Sequence, residues 1–184
     1  MPQITGEELP YLRRALDANF INEGPLTAEF QEKIASRLGA RFAFATTNGT
    51  AAIFLALKAL GIGHGDEVIV PDVTFIATAN AVDLCGAKPV FADVSPESFT
   101  VNPEAIERAL TERTRAIVPV HVTGRPADMG AIREIAARHG LAVVEDAAEA
   151  LGSSLDGALL GTIGDAGCFS FSANKTISTG QGGM

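Results

Sequence analysis

Short β-branched and apolar runs alternate with stretches of about ten residues at helical spacing, and this alternation constrains the chain more than any other feature. The runs are Glu67-Val-Ile-Val-Pro71, Pro89-Val-Phe-Ala92, Ala116-Ile-Val-Pro-Val120, Leu141-Ala-Val-Val-Glu145 and Gly167-Cys-Phe-Ser-Phe171. Between them, helices are predicted near residues 75–85, 103–111 and 127–139. Near-continuous apolar strands joined through helices predict crossover units and a buried, mostly parallel sheet. Right-handed crossovers then place helices on both faces. The fold class expected is α/β.

The first third of the chain has its own pattern. Helices are predicted over residues 5–19 and 26–39, the second stopped by Gly39. Arg41-Phe-Ala-Phe-Ala-Thr46 alternates like a strand, and Thr50–Leu60 reads as a strongly apolar, largely buried helix. No repeat, linker or low-complexity stretch divides the 184 residues, which suit one domain with a real core.

Charge and composition exclude several classes. The net charge is −8 without a Lys/Arg cluster, which argues against nucleic acid or an anionic membrane surface as partner. The longest apolar runs fall well short of a membrane span, and the N-terminus lacks the basic and apolar regions of a signal peptide. Cys85 and Cys168 sit in apolar settings, as packed, reduced thiols of a cytoplasmic protein would. His64, His121 and His139 are too scattered for a zinc set, so no metal is expected.

In parallel sheets, ligands bind beyond the carboxyl ends of the strands. At the first such position, Thr47-Asn-Gly-Thr-Ala-Ala52 is a glycine turn opening a helix, with free backbone N–H groups for an anion; it reads equally as an ordinary capped turn. At the second, Phe75 offers a ring face for a planar ligand or a core contact. Asp146 follows an apolar strand and suits either a protonated heteroaromatic nitrogen or a helix N-cap. Glu149, three residues on, is a second polar contact or a solvated acid. Lys175 follows the last strand among small polar residues and glycines, where a neutral amine would be a nucleophile. Most lysines are surface groups, and none of these residues is specific alone. Together they supply what pyridoxal 5'-phosphate (PLP) requires: a phosphate cradle, a face contact, an acid for the ring nitrogen and an amine for the aldehyde.

These stretches, with Ile21-Asn-Glu-Gly-Pro25, Pro71–Asn80, Pro119–Asp128, Val144–Gly152 and Phe169–Lys175, make the chain similar to the DegT/StrS-type sugar aminotransferases of PLP fold type I. The resemblance implies that Lys175 bonds the cofactor and later shuttles the proton. It also implies that Thr50, Ala51 and Ser170 hold the phosphate, that Phe75 stacks on the ring and that Asp146 pairs with its nitrogen. Many relatives carry Gln at the position of Glu149, and the Glu here resembles perosamine-synthase-like members, a hint of subgroup. A lysine at 175, where related dehydratases have His, favours amino transfer; the resemblance implies glutamate as donor, a nucleotide-linked keto-sugar as acceptor, polysaccharide biosynthesis and a cytoplasmic homodimer.

Family members are about twice this long. The resemblance therefore implies that the 184 residues hold an N-terminal segment and most of the large domain. The strand that inserts beside the first strand, and a small C-terminal domain, are expected beyond them. Two other readings remain open: a fold type I enzyme acting on a non-sugar ketone, and an inert fragment serving as a binding or assembly module.

Overall fold

The computed structural model describes residues 6–20 and 23–184. Thr5, where the first helix is predicted to start, and the Ile21-Asn22 part of the family motif lie outside the described residues. The elements run α1 (Glu8–Asp17), α2 (Pro25–Leu38), α3 (Gly49–Ala59), β1 (Glu67–Pro71), α4 (Ala77–Leu84), β2 (Lys88–Ala92), α5 (Pro103–Ala109) and β3 (Thr114–Ile117). They continue with α6 (Met129–His139), β4 (Ala142–Asp146), a hairpin of β5 (Ser154–Leu155) and β6 (Ala158–Leu159), and β7 (Ala166–Cys168).

Five strands form one sheet in the order β2-β1-β3-β4-β7, and every pair is parallel. Strand residues alternate between the two faces. Val68, Val70, Ala116, Val118 and Val144 join the core under α3 and α4; Ile69, Ile117 and Val143 join the core under α5 and α6. A third cluster packs α2 through Ile34 and Leu38 against Phe169 and Phe171. The α/β class with helices on both faces is thus the observed fold. Gly39 caps α2 in the left-handed conformation, as its position in the sequence implies.

Three expectations need correction. Residues 41–46 do not form a strand. Their alternation is real, since Ala43 and Ala45 pack on the third cluster while Phe42 and Phe44 are exposed. A strand also needs a neighbouring backbone. Only Thr46 finds one, in Gly183, whereas the Ala45 N–H is taken by the Gln31 side chain. Second, the last strand ends at Cys168, because Phe169 and Phe171 turn their backbone groups to Met184 and Gly182. Residues 182–184 therefore already lie between the 169–171 segment and Thr46, in the place expected for a strand beyond the chain. Third, α3 is buried along one face only, and Leu55 is exposed. The short hairpin escaped the reading, although Asp156-Gly157, both at positive φ, carries the usual turn signal.

Candidate active site

The carboxyl ends of β1, β3, β4 and β7 open onto a cleft of about 420 Å³. It sits where the strand order reverses around β1 and β3, the position at which open α/β sheets bind ligands. Thr50, Phe75, Asp146, Glu149, Ser170 and Lys175 all line it, although they are spread over 126 positions of sequence, from residue 50 to 175 counting both ends. Ala51 does not.

One wall is the start of α3. Asn48 adopts extended backbone and caps the helix, its Oδ1 accepting the Ala51 N–H at 2.9 Å. The anion-binding and capped-turn readings therefore coexist: the Ala51 amide serves the cap, while Gly49 and Thr50 face the cleft. Close approach favours Gly49, since a Cβ there would stand 3.0 Å from that of Ser170. The Ser170 hydroxyl is 3.1 Å from that of Ser172.

The floor is the end of β4. Asp146 continues the alternation of Val144 and so faces α3 and α4, while Glu145 faces the opposite way. Asp146 is only 5% exposed; Oδ2 accepts the Thr78 hydroxyl at 2.7 Å and Oδ1 the Ala148 N–H at 3.2 Å. Burial pushes its carboxyl above the usual range, against the pull of Thr78, the Ala148 amide and the charge of Lys175. Among the described residues it forms no salt bridge, so this buried acid faces the cleft without a cation in contact.

Opposite, Lys175 Nζ lies 3.3 Å from Glu149 Oε1 with its side chain mostly buried. The other oxygen of Glu149 accepts the Thr123 N–H at 2.8 Å, and Thr123 holds a left-handed conformation (φ 53°) to present it. That amide first, and then Lys175, hold the Glu149 carboxyl below its ordinary range against the effect of burial. Phe75 is 77% exposed at the rim, so its ring is a free face and not a core contact.

Sequence reasoning missed the supports beneath. Glu145, fully buried, accepts the N–H groups of Gly161, Ile163 and Gly164 and a bond from His121 Nε2 at 2.9 Å. His121 Nδ1 accepts the Ala127 N–H, which assigns the proton to Nε2 as donor. Burial alone would raise the Glu145 carboxyl; His121 and the three amides hold it below the ordinary range instead. A glutamate closing an apolar run was the available signal. Thr78 gave a weaker one, four residues after Thr74 on a helix start.

Comparison with known proteins accords with this geometry. The model of the DegT/DnrJ/EryC1/StrS aminotransferase family matches residues 2–184. The chain is 47% identical over 184 residues to a GDP-perosamine synthase of Caulobacter vibrioides, covering all of this chain and 50% of that protein. It superposes on the aminotransferase of Psychrobacter cryohalolentis with a TM-score of 0.95 at 41% identity, over 99% of this chain and 47% of that one. Spr1654 of Streptococcus pneumoniae, solved in its PLP form, gives a TM-score of 0.95 at 31% identity, over 99% of this chain and 50% of the other. The chain spans about half the length of the relatives it matches.

Proposed function

The chain belongs to the DegT/DnrJ/EryC1/StrS aminotransferase family, and from that premise we propose that it binds PLP and transfers an amino group from glutamate to a nucleotide-linked keto-sugar. One observation carries the reading: Lys175, Asp146 and the start of α3 meet in a single cleft. When bound, PLP supplies an aldehyde carbon that captures amines and a ring that withdraws electrons from them.

The residues fit that group. A phosphate would sit at the positive end of α3, beside Gly49, where the Thr50 and Ser170 hydroxyls add donors. Occupancy by a phosphate would compete with Asn48 for the Ala51 amide. Phe75, exposed at the rim, would cover the ring face. Asp146, a buried acid with no salt-bridge partner among the described residues, would hold a proton on the ring nitrogen. Lys175 Nζ, once neutral, is the nucleophile and then the group that moves the proton at the reacting carbon. Glu149, tied down by Thr123, keeps that amine in the cleft.

The keto-sugar acceptor is supported by the 47% identity to a GDP-perosamine synthase. A homodimer and a cytoplasmic setting belong to the same proposal; the two buried free thiols suit a reducing compartment. Among the described residues no helix is long and apolar enough to cross a membrane.

The test is spectroscopic. Purified protein titrated with PLP should turn yellow, and borohydride should then fix the label on the Lys175 peptide. Lys175→Ala should abolish both. Colourless protein with an unlabelled Lys175 peptide would leave a binding module in place of an enzyme. If colour forms, glutamate should bleach it, and an unchanged spectrum counts against amino transfer.

A further inference from the structure

Thr78 stands in the first turn of α4 and is completely buried. A threonine hydroxyl there ordinarily bonds back to a carbonyl of the preceding turn. The available carbonyl, Phe75 O, is 3.4 Å from Thr78 Oγ1 and already accepts the Thr78 N–H. Asp146 Oδ2, 68 positions away in sequence, is 2.7 Å from the same hydroxyl. That short contact takes the single hydrogen.

Thr74 completes the arrangement. Its Oγ1 lies 2.9 Å from Thr78 Oγ1 and 3.3 Å from Phe75 O; with the Thr78 hydrogen on Asp146, the shorter contact makes Thr78 the acceptor of the Thr74 hydrogen. Thr74 itself lines the cleft. Both Asp146 oxygens then face donors, Thr78 on one and the Ala148 amide on the other. The Thr78 hydroxyl and the Ala148 amide both favour the carboxylate, against burial, which opposes it. Ala148 contributes through its backbone, so Thr78 is the side chain on which the choice rests.

We propose that Thr78 is a positioning residue that keeps Asp146 charged and turned into the cleft, so that it can hold the proton on a bound pyridine ring, with Thr74 aligning the Thr78 hydroxyl. The proposal rests on the PLP reading above. It assigns no contact between Thr78 and the cofactor. Its effect passes through Asp146.

The experiment uses PLP labelled with ¹⁵N at the ring nitrogen, whose chemical shift separates the protonated from the neutral ring, together with PLP affinity measured by absorbance. In Thr78→Val, which keeps shape and loses the donor, the ring signal should move toward the neutral form and affinity should fall about tenfold or more, the worth of a hydrogen bond to a charged group. Thr78→Ser should restore both, and Thr74→Val should give a smaller change in the same direction. Folded Thr78→Val with an unchanged ring signal and affinity overturns the proposal while leaving PLP binding intact. Wild-type protein that takes up no PLP overturns the cofactor reading instead. Should circular dichroism show Thr78→Val unfolded, Thr74→Val decides, and an unchanged ring signal there also overturns the proposal.

Discussion

Asp146 shows how a functional residue burdens its own fold. Its carboxyl is held above the ordinary range by burial, so the folded chain binds that proton more tightly than the unfolded chain. As pH rises from the unfolded value toward the folded one, stability falls. Asp146→Asn should therefore melt higher than wild type at pH 7 without cofactor, with no gain at pH 3. A stabilisation of 1 kcal/mol corresponds to about 2–4 °C for a chain of this size. The same variant should bind PLP more weakly. Equal shifts at the two pH values would show that the burden lies elsewhere. Function and stability are opposed at this one atom pair.

At the scale of elements, the sheet has charged machinery at its other end too. Glu67 opens β1 and is 2% exposed, yet it meets the Thr111 hydroxyl at 2.6 Å, Arg113 at 2.7 Å and Lys88 at 3.3 Å. These groups tie the start of β1 to β2 and to the turn before β3. The Thr111 hydroxyl first, then Arg113 and Lys88 against the effect of burial, bring the Glu67 carboxyl down to about 2. A depressed acid stabilises the fold above its unfolded pKa and loses that contribution as pH falls through the folded one. Between about pH 4.5 and 2 the wild type should lose stability faster than Glu67→Gln, as chemical denaturation across that range would reveal. Parallel slopes would remove Glu67 from the account of acid unfolding. The central strands and the helices around them were legible from periodicity, because strands buried on both faces must be apolar throughout. Strand ends were not. Phe169–Phe171 is as apolar as any strand, but its backbone partners are residues 182–184 and not β4.

Across the whole molecule, aromatic residues that look alike in sequence differ in energy. Phe171 is 1% exposed and meets Phe30 edge-on at 5.0 Å, while Phe44 is 64% exposed beside Phe42. Phe171→Ala should cost about 3–5 kcal/mol, whereas Phe44→Ser should stay within about 0.5 kcal/mol; urea unfolding of this chain measures both, and comparable losses would contradict the packing described. The sequence by itself determined the α/β class, the parallel sheet, the stop of α2 at Gly39 and the placing of Phe75, Asp146 and Lys175 at or just beyond strand ends. Hydrophobic period and turn chemistry are local, and a chain carries them in plain order. Only the tertiary structure decided which extended run becomes a strand, that Asn48 takes the Ala51 amide, that Glu149 is shared by Thr123 and Lys175, and that Thr78 stands under Asp146. Those outcomes depend on which backbone or hydroxyl arrives within about 3 Å from a distant part of the chain, and no spacing along the sequence records that arrival.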